Sequence, residues 1–182
     1  MSITLIVEDG TGLENSNTYL SEADADAYFL ERGDTVWAAL DTELKKAALV
    51  IATDYIEQRW GQRIRGVKYS QEQALLFPRD GAYDAEGYLF DDVPVNLEKA
   101  TAEYAWFSKG LGMLLTPTAP VDATGAVSPQ GVTKRTFEKV GPIAEAVEFF
   151  SAGGDGGAYT PRIPVADKWM KTLIHSGGRS SR

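Results

Sequence analysis

The chain has 182 residues, 43% of them apolar, and it contains no cysteine. This length suits one compact domain with an appended segment. The absence of cysteine excludes disulfides, thiolate metal ligands and a cysteine nucleophile. No apolar stretch approaches the ~20 residues that span a bilayer, so we expect a soluble protein with no membrane partner.

Charge is distributed unevenly along the chain. With 26 acidic and 18 basic residues the net charge is −8, which disfavours tight nucleic-acid binding, because such binding depends on Lys and Arg at the phosphates. From Thr160 to Arg182, however, there are five bases and one acid, Asp167. A basic end on an acidic chain indicates that this end has a partner of its own.

Two helices are predicted in the first third of the chain. Ser21 is a typical helix cap followed by early acids, and we expect this helix to end at Arg32, before Gly33. Asp41 caps a second helix that ends at Gly61. The apolar stripe of the second helix is predicted to comprise Leu44, Ala47, Ala48, Ile51, Tyr55 and Ile56.

The middle of the chain is less regular. A short helix is predicted to start at Ser70–Gln73 and to end at Pro78. Pro94 suits the first turn of a third long helix, which weakens at Gly110. One face of this helix is predicted to carry Leu97, Ala100, Thr101, Tyr104 and Ser108.

The last third of the chain has a different pattern. Residues 116–131 are rich in Pro, Gly, Ala and Thr and indicate a linker or an extended arm. Alternation from Val132 to Val140, a turn at Gly141-Pro142 and a second run to Phe150 predict a β-hairpin. The glycines of residues 153–157 indicate a flexible joint, and a short helix is predicted at Val165–Ile174.

The predicted fold class is therefore mainly α, a helical-bundle body with a C-terminal β-hairpin and an extended arm. We expect three parts, residues 1–115 (body), 116–158 (linker and hairpin) and 159–182 (arm). A two-stranded hairpin cannot bury a core alone. Its aromatic residues Phe137, Phe149 and Phe150 therefore predict a contact with a neighbouring subunit.

A search for catalytic groups finds no candidate. His175 is the only histidine, so a metal or catalytic role would need partners from elsewhere in the fold. The glycine-rich residues 153–157 lack the Gly-Lys-Ser/Thr ending of a nucleotide loop, and Asp80, Asp84 and Glu86 do not have calcium-loop spacing. We expect a protein that is not an enzyme and has no cofactor or metal.

One run of residues is typical of single-stranded-DNA binding. Cations along the backbone and aromatic rings for base stacking define such sites. The run contains Arg59, Trp60, Arg63, Arg65, Lys68 and Tyr69 and no acid. The alternative is that the aromatic rings belong to the core or an interface and the bases pair with acids elsewhere, and the overall acidity favours that alternative.

Several motifs, in order and spacing, resemble phage head–tail connector (adaptor, or head-completion) proteins. They span roughly residues 7 to 175. They comprise Val7-Glu8-Asp9-Gly10-Thr11-Gly12, Asn17-Thr18-Tyr19, Ala25-Asp26-Ala27-Tyr28-Phe29 with Arg32-Gly33, Ala52-Thr53-Asp54-Tyr55-Ile56, Trp60-Gly61, Gln73-Ala74-Leu75, Phe77-Pro78-Arg79, Val93-Pro94, Lys139-Val140-Gly141-Pro142-Ile143 and Ile163-Pro164-Val165. Similar sequences are often labelled DnaT-like single-stranded-DNA-binding proteins, which supplies the alternative function.

The resemblance implies a helical body assembled as a dodecameric ring below the portal protein. It places the protein in the virion neck after synthesis in the host cytoplasm, with genomic DNA passing through the ring without tight binding. A downstream stopper or tail-terminator protein would bind the distal face, and the C-terminal arm would dock on the portal. The apolar residues of the arm are the predicted portal contacts: Ile163, Val165, Trp169, Met170, Leu173 and Ile174.

Overall fold

The computed structural model describes residues 2–84, 86–90, 92–110, 132–139, 144–150 and 162–174. The chain forms two compact units, one of residues 1–115 with 162–182 and one of residues 116–161. The first unit is helix-rich. Among the described residues, no helix has both the length and the apolar character needed to cross a membrane.

The first helices begin at the residues that the sequence predicts. Helix α1 covers Glu22–Leu30, and the Ser21 side chain accepts a hydrogen bond from the amide of Asp24. Gly33 follows the helix with φ +66°, a left-handed conformation that suits glycine. A short helix that was not predicted, α2 (Thr35–Ala38), begins at Asp34, whose carboxylate accepts from the amide of Trp37.

Helix α3 (Thr42–Trp60) is the longest in the described part of the chain, and Asp41 caps it as predicted. Its buried face matches the predicted stripe only in part, at Ala48, Tyr55 and Ile56. Leu44 is 47% exposed, whereas Leu49 and Ala52 are fully buried. The difference arises because the helix contacts α1, α4 and the turn after it, so that more than one face is covered.

Between α3 and the next long helix the chain is held by short elements. A 3-10 turn covers Gly61–Arg63. Strand β1 (Val67–Lys68) pairs antiparallel with β2 (Arg79–Asp80). The helix predicted at Ser70–Gln73 is wrong: the segment is a bend, in which the buried side chain of Gln73 binds the amide of Ser70 and the carbonyls of Leu75 and Pro78.

Helix α4 (Val95–Ala105) continues into a π-helical turn, Trp106–Gly110. Its buried face is the predicted one: Leu97, Ala100, Thr101, Tyr104 and Ser108 are all buried. The helix packs against α3 on one side and against α5 (Pro164–Met170) on another. It therefore lies at the centre of the first unit.

The prediction of a separate C-terminal arm needs one correction. Residues 162–174 belong to the first compact unit rather than to an independent segment. The physical reason is apolar burial, because Ile163, Met170 and Leu173 are at most 1% exposed in the same core as α3 and α4. The predicted joint at 153–157 and the tail from Gly177 lie outside the described residues.

The second unit contains two strands, β3 (Val132–Lys139) and β4 (Ala144–Phe150), which pair antiparallel with an irregularity between Thr133 and Arg135. The linker at 116–131 and the turn at 141–142 lie outside the described residues. Pairing aligns Phe137 with Ala146, Phe149 with Thr133 and Phe150 with Val132. The contact of these aromatic residues with a neighbouring subunit stays a prediction.

Candidate nucleic-acid interface

The predicted basic run lies at the end of α3 and in the segment that follows it. Arg59 is in the last turn of α3, Arg63 in the 3-10 turn, Arg65 in the loop and Lys68 in β1. Arg63 and Lys68 are exposed, whereas Arg59 and Arg65 are half-buried. The run is thus divided between the surface and the interior.

Arg59 is committed to an internal ion pair. Its Nη1 and Nη2 atoms lie 2.9 and 2.6 Å from the two carboxylate oxygens of Asp167 in α5, and Nη1 also donates to the hydroxyl of Tyr55. Both side chains of the ion pair are 13% exposed. A guanidinium in this two-pronged geometry joins α3 to α5 and does not present its charge to a phosphate.

The aromatic member next to Arg59 is also internal. Trp60 is 4% exposed, and its indole N–H donates to the hydroxyl of Tyr104 at 3.0 Å. Tyr104 in turn donates to Asp167 at 2.5 Å. Burial raises the pKa of Tyr104, with the hydrogen bond to Asp167 adding to the rise. Trp60 is therefore part of a buried network and cannot stack on a base in this conformation.

Two further cations of the run hold backbone carbonyls. Nη1 of Arg65 lies 3.3 and 3.4 Å from the carbonyl oxygens of Tyr83 and Asp84. Nζ of Lys68 donates to the carbonyl of Gln73 at 3.1 Å. Both side chains close the loop that carries β1 and β2.

The surface part of the run is small. Arg63 is exposed, with its guanidinium carbon 5.7 Å from the ring centre of Trp60, and Tyr69 is 69% exposed. Lys68 is also exposed, although its Nζ donates to the Gln73 carbonyl. The surface part of the run therefore offers two cations and one aromatic ring. Chemically this can make a few salt-sensitive contacts with a phosphate backbone.

Sequence reasoning missed the carboxylate that organises this region. Glu57 is half-buried and accepts a hydrogen bond from the Tyr19 hydroxyl. The same hydroxyl accepts from the amides of Leu76 and Phe77, at 3.0 and 3.2 Å. Burial raises the pKa of Glu57, although the hydrogen bonds from Tyr19 and Leu76 and the nearby Lys68 and Arg79 act in the opposite direction.

Arg79 is a second residue whose role was missed. Its Nε donates to the carbonyl of Arg65 at 2.6 Å and its Nη2 to the carbonyl of Gly66 at 2.5 Å. Gly66 has φ +76°, and a Cβ there would lie 2.4 Å from the carbonyl oxygen of Asp80. The local sequence gives no signal for these contacts, because the two partners lie 14 and 13 positions away along the chain.

The N-terminal motif at residues 7–12 also serves the fold. Glu8 is 4% exposed, and its carboxylate accepts from the amides of Gly10, Gly12 and Leu13 and from the Ser16 hydroxyl. Such a loop wraps around its own carboxylate. The hydrogen-bond donors to this carboxylate thus all come from the turn that follows Glu8 in the chain.

The comparison with protein families gives one result, a match over residues 3–182 to the family described as "Putative DnaT-like ssDNA binding protein". The chain belongs to this family. No curated protein and no solved structure matches it. The family match favours the single-stranded-DNA alternative over the connector reading, and it names no phage structure or portal partner.

The match includes the helix that carries the predicted portal contacts. Of those six residues, Ile163, Met170 and Leu173 are buried. Val165 is 42% exposed, and Trp169 and Ile174 are half-buried. Three of the predicted contacts therefore hold α5 on the body, and only the other three reach the surface.

Proposed function

We propose that this chain is a structural, non-enzymatic head–tail adaptor of a tailed bacteriophage neck. It forms a ring between the portal and a downstream stopper or tail-terminator protein, and the genome passes through that ring. The observation that carries the proposal is that residues of the connector-like motifs form internal contacts of the fold. Glu8, Tyr19 and Arg79 each bind backbone groups within the chain, as expected of motifs that define a scaffold.

The electrostatics support the same proposal. The net charge is −8, and the basic run directs Arg59 to Asp167 and Arg65 to backbone carbonyls. A ring of acidic subunits repels the DNA backbone, which lets a genome slide through rather than adhere. A portal-binding role for α5 rests on its surface residues Val165 and Trp169.

Single-stranded-DNA binding is the second candidate, and the family description favours it. The residues that could carry it are Arg63, Lys68 and the exposed Tyr69. Cations beside an exposed ring are the elements of a weak single-strand site. This candidate predicts a role in DNA synthesis instead of particle assembly.

Deletion of the coding sequence from the phage genome that carries it separates the two candidates. The adaptor proposal predicts normal phage DNA synthesis, together with heads and tails that fail to join. A matched strain carrying Arg63→Ala should assemble normally, because that side chain is exposed and lies outside the core. Reduced DNA synthesis with normal head–tail joining would contradict the adaptor proposal and establish the second candidate.

A further inference from the structure

The hairpin of the second unit has two open edges. Among the described residues, β3 and β4 pair only with each other. A two-stranded hairpin alone is at best marginally stable in water, and a third strand or a covering layer is what makes such a sheet persist. The outer edge of each strand also offers a row of backbone N–H and C=O groups to a further strand. The hairpin is therefore built to be extended.

The register divides the hairpin into two faces of different chemistry. Directly paired positions share a face of the sheet, and the faces alternate along each strand. One face, which we call the acidic face, pairs Glu138 with Glu145, Thr136 with Val147 and Thr133 with Phe149. The other, which we call the apolar face, pairs Lys139 with Ala144, Phe137 with Ala146, Arg135 with Glu148 and Val132 with Phe150.

The pairing of Glu138 with Glu145 works against the hairpin as an isolated element. Like charges directly opposite each other destabilise an antiparallel pair. The apolar face has no such conflict, because there Arg135 is opposite Glu148. Two opposed glutamates are useful on a surface that must repel a polyanion. The acidic face thus has the chemistry of a wall past which DNA moves.

The pairing of β3 with β4 is interrupted near one end of the hairpin. The register shifts between Thr133 and Arg135, as at a β-bulge. Bulges increase the local twist of a strand and are common at the rims of barrels. Closure into a barrel is the arrangement that removes every open edge of a sheet.

The rotational symmetry of a ring presents the hairpin edges in the order that closure requires. Because β3 and β4 are antiparallel, β4 of one copy lies antiparallel beside β3 of the next copy, and the pattern repeats around the ring. A ring of the size that the resemblance implies supplies roughly 24 strands, which at a spacing of about 4.8 Å close into a barrel about 35–50 Å across, depending on strand tilt. Barrels of about 22 strands already enclose a folded plug, so this lumen has room for a DNA duplex.

We propose that the β3–β4 hairpins of neighbouring copies join edge to edge into a closed β-barrel whose acidic face lines the DNA channel. This inference rests on the ring proposed above and assigns the lining of its channel to the second unit. Glu138 and Glu145 repeat around the lumen as rings of negative charge. The apolar face, with Phe137 and Phe150, lies on the outside of the barrel, where the predicted contacts with other subunits are made.

Cysteine crosslinking on portal rings carrying the full chain tests the edge-to-edge contact. The natural chain has no cysteine, so introduced thiols react only with each other. Thr136→Cys marks β3, and three single variants on the same face mark β4: Glu145→Cys, Val147→Cys and Phe149→Cys. Rings are assembled from an equal mixture of the β3 variant and one β4 variant and then oxidised.

We expect a disulfide-linked dimer of the β3 variant with the β4 variant whose position lies opposite it across the new edge. Each variant oxidised alone should stay monomeric on a denaturing gel, because β3 meets β4 of a neighbour and never another β3. Val67→Cys, at a 66% exposed position of β1 in the first unit, is the control, and it should give no dimer with Thr136→Cys.

A charge reversal tests which face lines the channel. Glu145→Lys and Glu148→Lys are the same substitution in the same strand, on the acidic and the apolar face respectively. Rings carrying Glu145→Lys should retain duplex DNA at least about tenfold more tightly than rings carrying Glu148→Lys, and the difference should shrink as salt is raised.

Three outcomes contradict the barrel: dimers from one variant alone, equal dimer yields from every pair including Val67→Cys, and equal DNA retention by the two lysine variants. Chains that join the portal rings but give no β3–β4 disulfide would refute the barrel and leave the adaptor proposal standing. Chains that never join the portal rings would refute both.

Discussion

Arg59 in α3 and Asp167 in α5 form an ion pair that joins two helices of the first unit. They are 108 positions apart in the chain, and their side chains meet through two hydrogen bonds, of 2.9 and 2.6 Å. The pair removes one cation from a potential DNA site and one acid from the surface of α5. The pair therefore leaves one cation fewer for DNA at the end of α3, and it leaves the basic side chains on the surface of α5 without that acid beside them.

Asp167→Asn should destabilise the protein by about 3 kcal/mol, because it leaves a partly buried guanidinium without its counter-charge. Thermal and urea unfolding measure the change. Glu31→Gln is the matched control, since Glu31 faces Arg32 at 3.8 Å on the surface and its loss should cost less than about 1 kcal/mol. Equal effects of the two substitutions would mean that the buried ion pair does not stabilise α5 on the body.

Gly66→Ala should be much more destabilising than Gly33→Ala. Both glycines have positive φ, at +76° and +66°, so both substitutions carry backbone strain of about 1–2 kcal/mol. Only at Gly66 would the new Cβ also meet backbone, 2.4 Å from the carbonyl oxygen of Asp80; at Gly33 nothing lies within 4 Å. We expect about 1–3 kcal/mol more loss at Gly66, measured by urea unfolding. Similar losses would show that the loop relaxes freely.

Glu57 should make stability depend on pH in a defined direction. Burial raises the pKa of Glu57 above its ordinary value of 4.5, so the folded state binds this proton more tightly than the unfolded state. Wild type should therefore lose stability relative to Glu57→Gln as the pH rises from 4.5 through the folded pKa. Below 4.5 the penalty is absent, because the carboxyl is protonated in both states. Parallel pH profiles for the two proteins would contradict a raised pKa.

The local signals in the sequence predicted much of the first unit. Ser21 and Asp41 cap α1 and α3 because short polar side chains satisfy free amides at helix starts. The buried face of α4 followed from a helical repeat that includes Leu97 and Tyr104. The four-residue helix α2 was missed because one turn is too short to show a repeat.

The long-range contacts could not be predicted in the same way. Neither the Arg59–Asp167 pair nor the contact of Tyr19 with Glu57 leaves a mark in local spacing. One indirect signal existed. Asp167 is the acid in a basic segment and lies three positions before Met170, a buried residue, so a carboxylate turned toward the body and paired there was a reasonable inference.

Binding to single-stranded DNA should be weak. A fluorescence-anisotropy titration of a thirty-residue oligothymidylate at physiological salt should give a Kd in the non-specific range of ~10⁻⁴–10⁻⁶ M or weaker. The reason is that Arg59 and Trp60 are internal, which leaves Arg63 and Lys68 at the surface. Submicromolar binding that falls in Arg63→Ala would reverse the order of the two candidate functions.

The most direct test of the adaptor proposal is the mass of a complex between this chain and the portal protein encoded in the same genome. Mass photometry of portal rings mixed with the full chain should show particles heavier by a whole number of 19.8 kDa subunits, twelve for the dodecamer that the resemblance implies. Val165→Asp, at an exposed position of α5, should reduce the heavier population without unfolding the chain. Portal rings whose mass does not change at saturating concentrations of the chain would contradict the account.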